Sequence, residues 1–311
     1  MNKQLIEELQ GATSILVLPH VKPDGDAFGS SLAFCHAMKT LGKDVVIHAT
    51  EELPNYLSFL SSDLLVVEKP EDCEFDLQVI LDSADLTRVQ DRYQKDLKTI
   101  VIDHHITNVG FGDINWIDSE ASSTGEMIYK LICFLNIPLT QQIMEALYTA
   151  IVLDTGRFYY SSTSSSTHRI VADFLSRGLD AGPINFKIYG EESLDKKRLF
   201  AKAIDLLESY YHGAYRVVQL PREYTEDMEP GDTEGLVESI RDIKGTEVAL
   251  LVYYYDGQWK VSLRSKGAVD VSEIASAHGG GGHAQAAGFT VQGNLPQLLN
   301  TLHQQLGELL L

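Results

Sequence analysis

The first half of the chain alternates short apolar runs with helical patterns of apolar and polar residues. The apolar runs are continuous stretches of Val, Ile and Leu, which indicates strands covered on both faces, as in a mainly parallel sheet flanked by helices. The predicted strands are residues 14–19, 44–49, 77–81 and 99–102. The predicted helices are residues 27–41, a polar helix around 86–97, and a helical region from 122 to about 178. Ser123 and Glu126 have the spacing of a capping box at a helix start.

The second half shows a different pattern, in which a charged helical stretch at residues 191–211 precedes a smaller α/β domain. Its predicted strands are residues 215–220, 247–255 and 258–263, and its predicted helices are residues 234–243, 271–277 and 295–310. We therefore predict an N-terminal α/β domain at residues 1–190, a helical connector at 191–211 and a C-terminal domain at 212–311. The catalytic cleft is expected between the two domains.

The composition limits the partners of the protein. The 311 residues include 25 Lys and Arg against 44 Asp and Glu, a formal net charge of −19, and both halves of the chain are acidic. Proteins that bind long nucleic acids through phosphate contacts normally present a basic surface. The charge therefore argues against binding of long duplexes, but it is compatible with a small anionic substrate at a local site.

The sequence also predicts a location. No apolar run approaches the roughly 18–20 residues that span a bilayer, and the first ten residues contain Lys3, Glu7 and Glu8 without an apolar leader segment. We expect a cytoplasmic protein without membrane contact, and a homodimer by base rate alone.

Acidic and imidazole side chains follow three predicted strands at the point where each strand ends. His20 follows the first strand, Asp82 ends the run VILD, and Asp103, His104 and His105 end the run TIVIDHH. The carboxyl ends of parallel strands meet at one edge of the sheet, where ligands usually bind. We therefore expect these side chains to lie in one crevice.

Three further acids belong with this cluster. Asp24 and Asp26 lie in the turn PDGD after His20, and Asp154 follows a helical segment. Four carboxylates in one crevice would repel one another, and two divalent cations would neutralise them while histidines supply neutral nitrogens. Two such ions can activate water and hold a phosphate during in-line attack. Manganese is the expected metal, with magnesium or cobalt as alternatives, and Asp82 is the carboxylate expected to bridge the two ions.

Several segments resemble the motifs of one enzyme family, the DHH phosphoesterases. HVKPDGDAFGSS, ILDSAD, VIDHH and LDTGRF resemble the four family motifs in order. RSKGAVDVSEIASAHGGGGHAQAAGF resembles the glycine-rich signature of the C-terminal domain associated with one DHH subfamily, and the matches together span residues 20–289. Chain length and the C-terminal domain resemble the NrnA-type enzymes, which act on very short RNA and on 3′-phosphoadenosine 5′-phosphate (pAp).

The resemblance implies a role for each residue of the N-terminal cluster. One metal ion would be held by His20, Asp24 and Asp82, and the other by Asp26, Asp82, His104 and Asp154. His105 would face the scissile phosphate, and Asp103 would orient the histidines, as partners of metal-bound imidazoles commonly do.

The resemblance also implies substrate-binding residues. In the C-terminal domain the terminal phosphate or base would be bound by Arg264 and His283 and by the backbone of Gly280, Gly281 and Gly282. Arg157, close to Asp154 in the sequence, is a further candidate for a phosphate contact.

The expected function is that of a two-metal phosphoesterase. It would hydrolyse short RNA oligonucleotides to mononucleotides and dephosphorylate pAp to AMP. An alternative is a phosphodiesterase specific for linear or cyclic dinucleotides, such as pApA or cyclic di-AMP. A third interpretation is a non-catalytic nucleotide-binding protein on the same scaffold, and the presence of all six expected metal ligands argues against it.

Overall fold

The computed structural model describes residues 3–49, 53–60, 63–66, 74–89, 92–190, 192–225, 232–293 and 295–310. The chain forms two compact units, an N-terminal unit, Met1–Glu191, and a C-terminal unit, Glu192–Leu311. No helix within the described ranges combines the length and apolar character needed to cross a membrane.

A sheet of six strands, counted over the described residues, forms the centre of the N-terminal unit. In chain order the strands are β1 (Ser14–Pro19), β2 (Asp44–His48), β3 (Leu65–Val66), β4 (Leu77–Leu81), β5 (Thr99–Asp103) and β6 (Ile114–Ile117). Their spatial order is β3-β2-β1-β4-β5-β6, and every neighbouring pair is parallel. All residues of β4 and β5 are buried, which explains why most of their residues are apolar. The predicted parallel sheet is confirmed.

The order of the strands places a crevice at β1. From β1 the chain continues outward through β2 to β3, and it then returns to β4 on the other side of β1. Such a reversal leaves a ligand-binding crevice outside the carboxyl ends of the strands on either side. Pro19 at the end of β1 lies beside Leu81 of β4, and Leu81 lies beside Ile102 of β5. The residues that follow these three strands therefore start from one edge of the sheet.

Six helices are described in this unit. They are α1 (Lys3–Gly11), α2 (Gly25–Thr40), α3 (Thr124–Phe134), α4 (Gln141–Asp154), α5 (Ser165–Ser176) and α6 (Ala181–Tyr189). Helices α2 and α4 pack closely because Gly29 has no side chain, and a Cβ there would lie 2.6 Å from the backbone oxygen of Ala146. Phe28 and Phe34 of α2 and Ile151 of α4 belong to the same buried core.

The polar helix predicted around residues 86–97 is wrong for the part described there, 86–89 and 92–97. These residues form a short 3-10 turn, Leu86–Arg88, and no α-helix. The buried Gln78 of β4 explains the difference, because its Nε2 donates to the Gln94 carbonyl (2.6 Å) and its Oε1 accepts from the Gln94 N–H (3.1 Å). A strand side chain thus satisfies loop backbone groups that a helix would satisfy internally.

The predicted capping box at the start of α3 forms only in part. The Ser123 hydroxyl accepts from the Glu126 N–H at 3.1 Å, as expected. The Glu126 carboxylate, however, accepts from the hydroxyls of Ser122 (2.8 Å) and Thr167 (3.1 Å). Glu126 is buried and links α3 to α5, so tertiary contacts replace the reciprocal bond of the local motif.

A second sheet of six described strands forms the C-terminal unit. The strands are β7 (Glu208–Tyr210), β8 (Tyr215–Gln219), β9 (Val248–Tyr255), β10 (Gln258–Ser265), β11 (Gly281–His283) and β12 (Ala286–Val291). Their order is β11-β12-β10-β9-β8-β7, with β8 and β9 parallel and the other pairs antiparallel. The described helices are α7 (Leu194–Asp205), α8 (Leu236–Arg241), α9 (Val271–Ala277) and α10 (Leu295–Leu310).

The segment predicted as a connector contributes α7 and β7 to this unit. Leu199 and Ala203 of α7 are buried with Val218 and Leu236 in one of its apolar clusters. Glu191, the first residue of the predicted connector, lies outside the described residues.

Candidate metal centre

The carboxyl edge of the N-terminal sheet brings the predicted residues of three strands together. His20 comes directly after β1, and Asp82 directly after β4. Asp103 is the last residue of β5, and His104 and His105 follow it. All of these except His105 are buried, and His105 is half-buried.

Two helices add the remaining acids. Asp24 is the N-cap of α2, where its Oδ1 accepts from the backbone N–H groups of Asp26 and Ala27, each at 3.0 Å. Asp26 lies in the first turn of the same helix, and Asp154 is the last residue of α4. The close packing of α2 against α4 at Gly29 therefore helps to position acids from both helices at the crevice.

One group of donor atoms consists of His20, Asp24 and Asp82. His20 Nδ1 donates to the carbonyl of Val21 at 2.7 Å, an assignment that leaves Nε2 as the ligating nitrogen. His20 Nε2 lies 3.7 Å from Asp24 Oδ2 and 3.9 Å from Asp82 Oδ2. This group contains all three residues predicted for the first metal ion.

The second group is centred on His104. Its Nδ1 lies 3.3 Å from the carbonyl of Ala121, so Nε2 again faces the carboxylates. His104 Nε2 lies 3.7 Å from Asp26 Oδ2, 3.5 Å from Asp82 Oδ1 and 3.4 Å from Asp154 Oδ2. Asp82 therefore directs Oδ2 towards the first group and Oδ1 towards the second, the orientation expected of a bridging carboxylate.

The donor atoms fit divalent cations. The ligand atoms of His20, Asp24 and Asp82 lie within 4.8 Å of one another, and so do those of Asp26, Asp82 and His104. Atoms that share one ion at about 2.0–2.2 Å lie about 3–4 Å apart, so the spacing within each group is close to that of a metal site. Carboxylate oxygens with imidazole nitrogens suit manganese, magnesium and similar first-row ions.

The charges of the cluster give a second reason for cations. Burial raises the pKa of Asp26 well above its ordinary value, and the charges of Asp82, Asp154 and Asp24 raise it further. Burial also raises the pKa of Asp154 to about 6, against the attraction of His104. Divalent ions would remove this repulsion and keep the carboxylates ionised.

Beside the cluster, His105 forms a separate hydrogen-bonded unit. Its Nδ1 donates to Asp103 Oδ1 at 2.7 Å, and Asp103 Oδ2 accepts from Asn108 Nδ2, also at 2.7 Å. Burial by itself would lower the pKa of His105, but the bond to Asp103 and the charges of Asp82 and Asp154 raise it to about 9. Asp103 thus fixes the ring of His105 and stabilises its protonated form.

The C-terminal unit holds the predicted arginine in a defined orientation. Arg264, on β10, donates from Nε to Glu238 Oε1 of α8 at 2.7 Å and from Nη1 to the Leu263 carbonyl at 2.9 Å. The charge of Arg264 keeps the pKa of Glu238 below its ordinary value, against the effect of burial. His283 ends β11, where it pairs with Ala286 of β12.

The predicted glycines differ in what the fold requires of them. A Cβ on Gly280 would lie 2.2 Å from the backbone oxygen of Gly288, and one on Gly282 would lie 2.4 Å from that of Ala286. Gly282 also has a φ of +141°. A Cβ on Gly281, by contrast, would meet no atom of the described residues within 4 Å. Close strand pairing thus accounts for Gly280 and Gly282, whereas packing does not account for Gly281.

Arg157 follows Asp154 by three residues in the chain. Gly156, Arg157 and Phe158 all have positive φ (+55°, +63° and +66°). The Arg157 guanidinium stacks on the ring of Tyr189, 3.7 Å from its centroid. A contact between Arg157 and phosphate remains a prediction.

Three residues with evident roles were missed by the sequence patterns. Thr124 bonds Asp26 and Asp82, Asn108 bonds Asp103, and Glu238 bonds Arg264. Asn108 lies outside the quoted motifs. Thr124 and Glu238 lie in stretches for which the sequence predicted only a helix. The partners of Thr124 and Glu238 come from distant parts of the chain, and Asn108 reaches Asp103 across the turn that follows β5, so no periodic pattern identified these residues.

The chain is similar to known proteins over most of its length. Residues 14–151 match the DHH family, N-terminal domain, and residues 213–308 match the DHHA1 domain. The bifunctional oligoribonuclease and PAP phosphatase NrnA of Thermus thermophilus is 31% identical over 280 residues, which are 90% of this chain and 84% of that protein. The probable bifunctional oligoribonuclease and PAP phosphatase NrnA of Streptococcus mutans is 30% identical over 291 residues, 92% of each chain.

A solved structure extends the likeness to the whole fold. An exopolyphosphatase-related protein from Bacteroides fragilis superimposes with a TM-score of 0.88 at 28% identity, covering 99% of this chain and 95% of that chain. The family motifs, the fold and the relatives therefore agree. The chain belongs to the DHH family of phosphate-ester hydrolases, with a DHH N-terminal domain followed by a DHHA1 domain.

Proposed function

We propose that the protein is a two-metal phosphoesterase that hydrolyses short RNA oligonucleotides to mononucleotides and dephosphorylates pAp to AMP. The observation that carries this proposal is the cluster centred on Asp82. The carboxylate of Asp82 faces His20 with Oδ2 and His104 with Oδ1. The names of the relatives that are 30–31% identical over about nine-tenths of the chain support the choice of substrates.

The cluster supplies the metal-binding part of this mechanism. His20, Asp24 and Asp82 would hold one ion, and the other would be held by Asp26, Asp82, His104 and Asp154. Two divalent ions, with manganese as the first candidate, would activate the attacking water and neutralise charge on the phosphate. The carbonyls of Val21 and Ala121 fix the ring orientation of His20 and His104, which keeps each Nε2 directed at the carboxylates.

His105 is the residue we assign to the reacting phosphate. Asp103 holds its Nδ1, so Nε2 is the nitrogen that would approach the substrate. In the metal-free protein burial lowers the pKa of His105, but the bond to Asp103 and the charges of Asp82 and Asp154 outweigh burial and raise this pKa to about 9, which favours the protonated ring. His105 would therefore donate a hydrogen bond to a phosphoryl oxygen and a proton to the leaving oxygen.

The C-terminal unit would bind the end of the substrate. Among the described contacts Arg264 uses Nε and Nη1, and we assign Nη2 to a terminal phosphate. The backbone at Gly281 and the ring of His283 would contact the same phosphate or the base. Binding of one chain end, in a protein with a net charge of −19, favours substrates of a few nucleotides over long polymers.

Initial rates on a panel of substrates test the proposal. We expect manganese-dependent hydrolysis of pAp and of labelled RNAs of about two to seven nucleotides, and little hydrolysis of pyrophosphate. The Asp82→Asn variant should lose activity on all of them, because an amide cannot supply the shared negative charge. Hydrolysis of pApA alone would instead identify a dinucleotide phosphodiesterase, and full activity of Asp82→Asn would refute the two-metal site. The cytoplasmic location and the homodimer remain predictions.

A further inference from the structure

The N-terminus of α3 bonds two of the carboxylates in the cluster. The backbone N–H groups of Thr124 and Gly125 donate to Asp26 Oδ2 (2.6 Å) and Oδ1 (2.9 Å). The Thr124 hydroxyl donates to Asp82 Oδ1 at 2.9 Å. Thr124, Asp26 and Asp82 are all buried, so these bonds are shielded from solvent.

These bonds act on the oxygens that matter for metal binding. Asp82 Oδ1, which accepts from the Thr124 hydroxyl, is the oxygen that lies 3.5 Å from His104 Nε2. Asp26 Oδ2, which accepts from the Thr124 N–H, lies 3.7 Å from the same nitrogen. Thr124 therefore orients two of the three carboxylates that face His104, those of Asp26 and Asp82.

We propose that Thr124 is a positioning residue of the metal centre, one that fixes the carboxylate oxygens of Asp26 and Asp82 beside His104 before any ion binds. The proposal rests on the proposed function only in assuming that the centre binds metal. Thr124 would touch neither the substrate nor the reacting atoms.

Electrostatics explain why such a residue is needed. The carboxylates of Asp26, Asp82 and Asp154 all lie within 3.7 Å of His104 Nε2, and their mutual repulsion favours their separation. The first N–H groups of a helix are unpaired within the helix and carry partial positive charge, so they stabilise a carboxylate placed against them. Here Asp26 occupies two of these groups, while the Ser123 hydroxyl occupies a third at Glu126. The helix thus offsets part of the repulsion in the metal-free protein.

The side-chain bond to Asp82 can be removed without any change of the backbone bonds to Asp26. Thr124→Val replaces the hydroxyl by a methyl group of similar size, and Thr124→Ser keeps the hydroxyl. Thr149→Val is the matched control, because Thr149 is equally buried and its hydroxyl bonds only the Glu145 carbonyl within α4 among the described contacts. Thr124→Ala serves as a second test if the valine variant does not fold.

The measurement is calorimetric titration of the metal-free proteins with manganese, with thermal unfolding as the check on folding. We expect Thr124→Val to bind the ion beside His104 about 10- to 100-fold more weakly, the usual effect of losing a partner of a metal ligand. Thr124→Ser and Thr149→Val should bind like the unsubstituted protein.

The outcomes separate this inference from the proposed function. Unchanged manganese binding by Thr124→Val, or by Thr124→Ala in its place, would overturn it, as would equal weakening by valine and serine. An unsubstituted protein that binds no manganese would overturn it as well. A protein that binds manganese but hydrolyses neither pAp nor short RNA would contradict the proposed function and leave the role of Thr124 measurable.

Discussion

Asp82 adopts a left-handed backbone conformation, with a φ of +57°, directly after β4. Aspartate tolerates this region better than branched residues do. A strained conformation persists only where its surroundings stabilise it, and such residues concentrate at functional sites. Here the carboxylate bonds Thr124 and faces His104 and His20 with different oxygens. Backbone geometry at one residue thus decides how the two halves of the cluster are joined.

The hydrogen bond between His105 and Asp103 predicts how the free energy of unfolding depends on pH. Against the effect of burial, Asp103 raises the pKa of His105 to about 9, whereas unfolded histidine titrates at about 6.5. The pair therefore contributes its full stability below about pH 6.5, and this contribution is lost as the pH rises through 9.

We expect Asp103→Asn to destabilise the metal-free protein more at about pH 6.5 than at about pH 10. Urea unfolding of both proteins across this range measures the difference in free energy of unfolding. If the two free energies of unfolding differ by the same amount at every pH, the ion pair is not the cause of the destabilisation.

Glu238 orients Arg264 by a hydrogen bond, as Asp103 orients His105. We expect Glu238→Ala to raise the KM for pAp about tenfold with a small change in kcat, because it removes a charge-assisted hydrogen bond that orients the guanidinium. Glu238→Gln keeps an oxygen acceptor and should recover part of the loss. Steady-state kinetics of both variants, repeated in an Arg264→Ala background, measure the coupling, and an undiminished effect in that background would refute it.

Among the secondary-structure elements, strand pairing separates structural glycines from those available for function. Gly282 belongs to β11, and its missing side chain allows β11 to lie against Ala286 and Ala287 of β12. Gly281 lies on the same strand with open space in the direction of its Cβ.

Alanine substitutions at Gly282 and Gly281 are therefore expected to have opposite effects on stability and substrate binding. Gly282→Ala should lower the free energy of unfolding by about 1–3 kcal/mol, because its Cβ overlaps backbone atoms. Gly281→Ala should unfold like the unsubstituted protein while raising the KM for pAp, if the backbone there approaches a phosphate. Thermal unfolding and kinetics of each variant give both readouts. A stable Gly282→Ala protein, or a Gly281→Ala protein with unchanged KM, would contradict the assignment.

The sequence predicted most accurately the strands that are covered on both faces. The runs of β1, β4 and β5 are mainly apolar because parallel strands are buried on both sides, and their positions were predicted within one residue. The polar stretch around residues 86–97 was misassigned, since its backbone is satisfied by Gln78 from another element. β11 was not predicted, because a run of glycines has no strand pattern of its own.

In the molecule as a whole, acidity and metal binding are linked. The net charge of −19 includes the four carboxylates of the proposed metal ligands. Ions that bind the folded protein and not the unfolded chain stabilise it, by about 2.7 kcal/mol at a free concentration one hundred times Kd.

We therefore expect a chelator to abolish hydrolysis and to lower the unfolding temperature, with manganese restoring both. Activity assays and thermal unfolding before and after dialysis against the chelator measure this. The Asp82→Asn variant is the control, because its unfolding temperature should respond little to either treatment. Activity that survives complete removal of metal would contradict a metal-dependent mechanism.

The sequence by itself determined the class of fold, the family and the set of acidic and imidazole residues, because each depends on local patterns and on residue types at fixed positions. Only the tertiary structure decided which oxygen of Asp82 faces which histidine, and that Thr124 and Asn108 hold the acids in place. These contacts join residues that are distant along the chain or depend on backbone angles. They follow from the packing of helices against the sheet, which no pattern within a single segment encodes.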